Sequence, residues 1–404
     1  MFGAEAARRA LAQELPALTE LRRALHRTPS LSDEEQPTAE RLLAWLGEHA
    51  PARTVRGLGG AGIAAVYDGA EPGPTVLLRA ELDALPIAEP GHLAHASQIP
   101  GVSHKCGHDG HMAILAGVAK LVSRSPPAKG RVVLLFQPAE ETGTGARAVV
   151  QDPKFAEIAP DYAFALHNLP GYPKASIAVR AGAFAAASEG LEIWLAGASS
   201  HASEPHLGKS PALALSQLIP ALLALPAQLL PMDTGAAVAI THANLGEPSF
   251  GIAAGKARVQ TTMRSSETAD LERLMTAAER AAEGLGAAHG LEVTHARHDR
   301  FGATANDDDG ARIVREAAKA CGLACEGLPG PFPWSEDFGE ILGTCRGAMF
   351  GVGAGPSCAP LHNEEYDFPD DILESGVLTM TTAASLALAD EWAGRTPRDL
   401  PRAP

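Results

Sequence analysis

Three apolar runs in the first half of the chain predict buried strands. They are TVLLRAELDALP (75–86), RVVLLFQPAEE (131–141) and DYAFALHNLP (161–170). Between the first two runs, an apolar stripe at helical spacing predicts a helix over 111–124. The stripe consists of Met112, Leu115, Ala119 and Val122. Strands that alternate with helices are typical of an α/β sheet that is covered on both faces.

The pattern changes near residue 188, where a β-α-β-β-α-β order begins. The strands are predicted over 191–197, 237–243, 256–264 and 291–297, and the helices over 209–229 and 267–285. This order is typical of a small ferredoxin-like unit. Further helices are predicted over 307–321 and 370–392. We therefore predict a discontinuous α/β domain (1–187 and 298–404) with a mainly parallel sheet, and an inserted α+β domain (188–297).

The composition of the chain argues against several classes of protein. The 404 residues are 46% hydrophobic and 20% charged, with a formal net charge of −15, which argues against nucleic-acid and membrane-surface binding. Pro220 and Pro226 interrupt the most apolar stretch (211–231), so we expect no membrane-spanning helix there. The N-terminus lacks the apolar core of a signal peptide, and the five cysteines form no disulfide pattern. We therefore expect a cytoplasmic protein.

Residues with ligand or acid–base chemistry follow the predicted strands. They are Glu81 and Asp83 after the first strand, Cys106 and His108 before the helix, Glu140 and Glu141 after the second strand, His167 at the end of the third, and His362 in a late polar loop. Open α/β sheets place their sites at this edge. Ionisable groups are costly to bury there unless they pair or bind a cation.

Each of these signals has a structural alternative. Cys106 and His108 alone are more often a buried thiol beside a hydrogen-bonded histidine than a metal site. The pair Glu140–Glu141 alone could be a solvated turn, but it follows a fully apolar run. Adjacent side chains in extended chain point in different directions. One of these carboxylates can therefore bind metal while the other acts as general base, and the residues alone do not settle which.

Two other functions fit the sequence less well. GLGGAG (57–62) matches the spacing of a dinucleotide-binding loop, but a strand-like segment follows it instead of a helix, so we predict a glycine-rich hairpin. A serine hydrolase is disfavoured because the sequence contains no G-x-S-x-G motif. Cys106 as a nucleophile, with a histidine as its base, would leave the two glutamates without a role. A thermolysin-like site would need H-E-x-x-H, which is also absent.

Seven motifs in fixed order resemble the dinuclear-metal aminoacylase and carboxypeptidase superfamily, in the branch of auxin-conjugate amidohydrolases and hippurate hydrolases. They are RAELDALP (79–86), KCGHDGHMAILAG (105–117), LLFQPAEETGTGA (134–146), FALHNLPG (164–171), SHASEPHLGKSPA (200–212), WSEDFG (334–339) and PLHNEEYDFPDDIL (360–373). The resemblance extends over about residues 15–392. It implies a metal-dependent amidohydrolase that cleaves N-acyl amino acids or similar small amides.

The resemblance also assigns roles to residues. Two divalent ions, Zn²⁺ or Mn²⁺, would be held by Cys106, His108, Glu141, His167 and His362, with Cys106 shared between them. Glu140 would be the general base for the attacking water. Asp83 would support a ligand without binding the metal itself, and Asp109 and His111 would shape the loop.

The inserted domain resembles the family's lid, which also forms a homodimer interface. The resemblance implies that His201 stabilises the oxyanion in the partner's site and that Arg264 binds a substrate carboxylate. The resemblance does not decide whether dimers assemble into higher oligomers.

Three residues depart from the family pattern. Glu81 replaces a usual aspartate, and Gly251 and Ala254 replace the asparagine and proline of a typical FNVIPG. Because that asparagine holds substrate, a dipeptidase or a hydrolase of aryl or alkyl amides stays an alternative. A catalytically silent binding protein on the same fold is a more distant one, since all the proposed ligands and Glu140 are present.

Overall fold

The computed structural model describes residues 1–389 and divides them into two compact units. Unit 1 comprises Met1–Phe184, Thr304–Gly330 and residues 337–389, and unit 2 comprises Ala185–Ala303 and Pro331–Glu336. The last part of the helix predicted over 370–392, from residue 390, lies outside the described residues.

The helices, in chain order, are α1 Ala4–Ala12, α2 Leu15–Arg27, α3 Gln36–Gly47, α4 His108–Arg124, α5 Gly145–Gln151, α6 Ala212–Leu229, α7 Thr268–His289, α8 Asp308–Ala320, α9 Gly339–Leu342 and α10 Leu373–Ala389. The strands are β1 Arg53–Leu58, β2 Gly62–Asp68, β3 Glu71–Glu81, β4 Lys129–Gln137, β5 Tyr162–Pro170, β6 Ile177–Val179, β7 Gly182–Ala185, β8 Ala187–Ala196, β9 Ser200–His201, β10 Ala237–Leu245, β11 Ile252–Ala253, β12 Lys256–Ser265, β13 Glu292–Phe301, β14 Thr304–Asn306, β15 Cys325–Gly327 and β16 Arg346–Gly355.

Unit 1 is built on an eight-stranded sheet in the order β1-β2-β4-β3-β5-β16-β6-β15. Its central strands β4, β3, β5 and β16 are parallel to one another, and their almost wholly buried apolar runs are typical of a covered parallel sheet. The predicted α/β class is confirmed. Towards the edges β1, β2 and β6 pair in antiparallel fashion, so the sheet is mixed.

The core of unit 1 lies between this sheet and the helices α2, α4, α8 and α10. The four stripe residues predicted for α4 are buried, and so is most of the rest of that helix. It begins at His108, three residues earlier than predicted, which brings His108 into its first turn. The segment GLGGAG forms the turn of the β1–β2 hairpin, as predicted, and no helix follows it.

Unit 2 contains the predicted β-α-β-β-α-β order in β8, α6, β10, β12, α7 and β13. These strands form an antiparallel sheet in the order β10-β12-β8-β13, and the inward residues of β8 and β12 form one core with α6 and α7. The short strands β9 and β11 pair beside it. Strand β10 is largely exposed and lies at the edge of the sheet.

Within residues 1–389, two helical segments are long and apolar enough to cross a membrane by length and composition alone: α6 (Ala212–Leu229) and the segment Asp370–Ala389 that contains α10. The second is 78% buried within the protein, as expected of a core helix, whereas α6 is only 22% buried. Pro220 and Pro226 lie inside α6 and remove backbone donors from its hydrogen-bond ladder.

Candidate metal centre

The predicted site residues of unit 1 come together at one edge of its sheet. Strands β3, β4 and β5 run parallel, so Glu81, the Glu140–Glu141 pair and His167 all lie towards the carboxyl end of their strands. The N-terminus of α4 brings His108 to the same edge. His362 arrives on the loop between β16 and α10, where its backbone N–H donates to the carbonyl of Lys105 at 2.8 Å.

Four pairs of donor atoms among these side chains lie 3.4–3.8 Å apart. Cys106 Sγ is 3.4 Å from His167 Nε2. His108 Nε2 is 3.8 Å from one carboxylate oxygen each of Glu140 and Glu141. The other oxygen of Glu141 is 3.7 Å from His362 Nε2. The structure thus gathers all five predicted ligands and the predicted base into one cluster.

Glycine is required between the first two ligands. Gly107 has φ +97°, and a Cβ there would lie 2.5 Å from the side-chain oxygen of Asn168. Only glycine combines this conformation with so close an approach. The backbone turn at Gly107 lets Cys106 and His108 both face the cluster.

Hydrogen bonds fix the orientation of two imidazoles. His108 Nδ1 donates to the backbone carbonyl of Asp83 at 2.8 Å, and His167 Nδ1 donates to that of Asn168 at 2.8 Å. Each ring therefore presents Nε2 to the cluster. His108 Nε2 is buried without a hydrogen-bond partner among residues 1–389, which is the condition of a nitrogen placed for a cation.

The cluster has a strongly negative field. Burial alone would lower the pKa of His108, but the carboxylates of Glu81, Asp83 and Glu141 outweigh it and raise that pKa to about 10. Burial raises the pKa of the Cys106 thiol well above its ordinary value, and Glu141 and Glu140 raise it further. Burial lowers the pKa of His167 to about 3, so that imidazole is neutral. A buried cation would satisfy this field and release the thiol proton.

The residues present fit divalent metal ions. Two ligands held at about 2.0–2.3 Å by a tetrahedral zinc ion lie roughly 3.3–3.8 Å from each other, which matches the spacing of the donor atoms. Cys106 belongs to two ligand groups, one with His108 and His167 and one with Glu141 and His362. A donor set of thiolate, imidazole and carboxylate is compatible with zinc and other transition metals.

The structure also shows what the acidic residues around the cluster do. Asp83 orients His108 mainly through its backbone carbonyl, while its carboxylate accepts from the Glu141 N–H at 2.9 Å and from Ser32 Oγ at 2.8 Å. Glu81 pairs with Arg79 and lies 2.6 Å from His111 Nδ1.

A buried charge network behind the α4 N-terminus was not identified from the sequence. Asp109 lies 2.8 Å from Arg22 Nε and 2.7 Å from His26 Nδ1. Glu89 lies 3.0 Å from His26 Nε2 and accepts from Lys105 Nζ at 2.7 Å. Asp109 thus contacts Arg22 and His26 of α2, and His111 contacts Glu81. Both residues support the loop that contains Cys106 and His108. The signal available in the sequence was the polar pair Arg22 and His26, spaced four residues apart on the buried face of α2.

The remaining predicted site residues lie in unit 2. His201 is exposed on β9, and its Nδ1 accepts from Ser203 Oγ at 2.6 Å and from the Ser203 N–H at 3.2 Å. Because Nδ1 is an acceptor, the ring hydrogen sits on Nε2. Arg264, at the end of β12, donates to Pro333 O at 3.0 Å and to Ser335 Oγ at 2.9 Å. A Cβ added at Gly251 would meet no atom within 4 Å.

Comparison with known proteins places this site in a family. Residues 77–385 match Peptidase family M20/M25/M40. The chain belongs to this family. It is 30% identical over 376 residues to N-acetylcysteine deacetylase from Bacillus subtilis, covering 92% of this chain and 96% of the relative. It is 29% identical over 355 residues to hippurate hydrolase from Campylobacter jejuni, covering 87% and 92%.

The solved structures agree with this membership of family M20/M25/M40. A dinuclear metal-binding peptidase of the M20 family from Bacillus subtilis has a TM-score of 0.80 and 26% identity, covering 94% of this chain and 99% of that one. The predicted family and the predicted enzyme class, a metal-dependent amidohydrolase, are confirmed.

Proposed function

We propose that the protein hydrolyses the amide bond of N-acyl amino acids with the help of two divalent metal ions. The observation that carries this proposal is the cluster of five ligand-type side chains with Glu140 beside it. N-Acetylcysteine and hippurate, which appear in the names of its relatives, are both amino acids acylated on nitrogen.

The five ligands would divide between two ions. Cys106 would be shared, because it belongs to both ligand groups, and the other four ligands would be His108, Glu141, His167 and His362. Zn²⁺ or Mn²⁺ suits this mixed set. When bound, the ions would polarise the amide carbonyl and lower the pKa of a water molecule.

Glu140 would act as the general base. It lies at the cluster, next in sequence to the ligand Glu141, and is 5% exposed. Its carboxylate would take a proton from the attacking water as the oxygen bonds to the carbonyl carbon. The same proton would then pass to the leaving nitrogen as the C–N bond breaks, so that a carboxylic acid and an amine are released.

His201 would stabilise the developing oxyanion. The hydrogen bonds from Ser203 leave an N–H at its Nε2, which is the donor that this role requires. By resemblance to the family, it would serve the site of the partner subunit in a homodimer.

Arg264 would bind a carboxylate of the substrate. Its contacts with Pro333 and Ser335 hold the guanidinium in place, and the planar group can donate two parallel hydrogen bonds to a carboxylate. Substrates with a free carboxylate should therefore have a higher kcat/KM than their esters or amides. Arg264→Ala should remove this discrimination.

Unit 2 would serve as lid and dimerisation domain. It exposes several large apolar side chains, which is typical of a protein–protein contact: Leu207, Leu213, Leu223, Phe250 and Ile252. These lie on α6 and around the β9–β11 pair, the same part of the unit that contains His201. The five free thiols support a reducing, cytoplasmic compartment.

A dipeptide or an aryl or alkyl amide is the second candidate substrate. The open space at Gly251, where relatives of the resembled branch have asparagine, favours it because one contact to an α-amino acid is missing. A panel of N-acyl amino acids, dipeptides and aryl amides, assayed with added Zn²⁺, Mn²⁺ or Co²⁺, tests both. Highest kcat/KM on N-acyl amino acids supports the first proposal. Turnover of only the other classes would favour the second.

A further inference from the structure

A buried glutamate outside the ligand set contacts the segment that contains Glu140 and Glu141. Glu35, just before α3, is 1% exposed. Its carboxyl oxygen Oε1 accepts a hydrogen bond from the backbone N–H of Ala139 at 2.8 Å. The Glu35 side chain makes no capping hydrogen bond to α3, so it does not stabilise the N-terminus of that helix.

Ala139 has an unusual backbone conformation. Its φ is +50°, in the left-handed region that alanine rarely adopts. The residue follows β4 and Pro138 directly and precedes Glu140. The direction in which the two carboxylates leave the strand therefore depends on this one left-handed turn.

The rest of the turn is tightly built. The carbonyl of Ala139 accepts from the Gly145 N–H at 3.0 Å, and that of Glu140 accepts from the Gly143 N–H at 2.8 Å. A Cβ at Gly145 would lie 1.6 Å from the carbonyl oxygen of Pro138, so only glycine fits there. On the other side, Asp83 accepts from the Glu141 N–H. Two carboxyl groups from other segments thus hold the backbone of this turn.

Without Glu35, the N–H of Ala139 would be left without this acceptor in a buried place, which is unfavourable. The simplest relaxation is a rotation of Ala139 out of the left-handed region, and that rotation would move Glu140. Burial raises the pKa of Glu35, which favours the neutral acid. A glutamine would keep the acceptor oxygen.

We propose that Glu35 is a positioning residue for the Glu140–Glu141 pair, acting through the backbone N–H of Ala139. The claim about turnover rests on the proposed function of that pair. The claim about the turn does not, because it concerns the backbone of residues 137–145 whatever reaction follows.

The test compares three variants with the wild type. Glu35→Gln retains the acceptor, and Glu35→Asp is one methylene too short to reach Ala139. Glu34→Gln changes the neighbouring exposed glutamate and is the matched control. Glu35→Met also removes the acceptor and replaces Glu35→Asp if that variant does not fold.

The first readout is amide hydrogen exchange of the peptide covering 137–145, measured in the metal-free protein. We expect faster exchange in Glu35→Asp or Glu35→Met, and wild-type exchange in Glu35→Gln and Glu34→Gln. Equal exchange in all variants would overturn the proposal, whether or not the protein is an amidohydrolase.

The second readout is kcat per metal-loaded chain. Misplacing a catalytic group by about 1 Å costs up to about a hundredfold, so we expect kcat to fall by about tenfold to a hundredfold in Glu35→Asp. Because the Glu141 N–H still donates to Asp83, the metal content and KM should change by no more than about twofold, and Glu35→Gln should retain kcat. A loss in Glu35→Gln with retention in Glu35→Asp would overturn the proposal, because charge and not reach would then matter.

Discussion

At the scale of single residues, Glu140 and Glu141 have identical chemistry and different surroundings. Glu141 has an oxygen near His362 and another near His108, while Glu140 has an oxygen 3.8 Å from His108 Nε2. We expect Glu140→Gln to retain metal and to lose about a hundredfold to ten-thousandfold in kcat, because an amide cannot accept the proton from water. Glu141→Gln should lose metal instead.

Elemental analysis and steady-state kinetics on the two variants separate these roles. Both substitutions replace one carboxylate oxygen by an amide NH₂ group and keep the side-chain volume. Each variant therefore serves as the control for the other. A drop in kcat of less than about tenfold in metal-loaded Glu140→Gln would assign the base role to another residue.

The candidate site could be predicted from the sequence only in part. Cys106, His108 and the glutamate pair were identifiable because they adjoin strongly apolar runs whose ends must meet at one edge of a sheet. Glu35 was not, because a single polar residue before a helix has no pattern that reveals its burial, and the four-residue spacing of Arg22 and His26 on α2 does not show what these side chains contact. Their function depends on contacts between segments that lie far apart in the chain.

At the scale of elements, the helix α2 is joined to the first turn of α4 by a buried ion pair that responds to pH. The ring nitrogens of His26 lie near Asp109 and Glu89. Burial alone would lower the pKa of His26, but these carboxylates raise it to about 9 from 6.5. The pair therefore stabilises the fold fully below about pH 6.5, and this stabilisation is lost as the pH rises through about 9.

We expect the unfolding free energy of the metal-free wild type to fall between about pH 6.5 and pH 9 by on the order of 1–3 kcal/mol more than that of His26→Gln. Urea unfolding of both proteins at several pH values measures the difference. Parallel pH curves for the two proteins would show that His26 does not carry the predicted charge.

The strands and helices themselves were largely predictable. The apolar runs predicted β3, β4 and β5. The β-α-β-β-α-β order of the second unit was predictable because strand-like and helix-like segments follow one another clearly in its hydrophobic pattern. The antiparallel pairing of β2 with β4 and of β6 with β16 was not predicted, because pairing direction depends on how the chain returns to the sheet. The start of α4 at His108 was missed because the Gly107 turn lacks a side-chain cap that the sequence could show.

At the scale of the whole molecule, the proposed homodimer can be tested by complementation. If His201 of one chain serves the site containing Glu140 of the other, His201→Ala and Glu140→Gln homodimers should both be almost inactive. In a mixed dimer one site carries both defects and the other carries none. Free exchange gives about half mixed dimers, so about a quarter of the wild-type activity should return.

Native mass spectrometry shows whether the subunits have exchanged. Mixing each variant with itself is the control. If mixed dimers form and activity does not rise, His201 acts within its own chain or has no part in catalysis.

We propose that this chain is a two-metal amidohydrolase whose ions are held by Cys106, His108, Glu141, His167 and His362. The most direct test is the metal content per chain, determined by elemental analysis after loading and dialysis, for the wild type and for Cys106→Ala. We expect two ions in the wild type and at most one in the variant, since Cys106 belongs to both ligand groups. An unchanged metal content in Cys106→Ala, or a wild type that binds no ion, would contradict it.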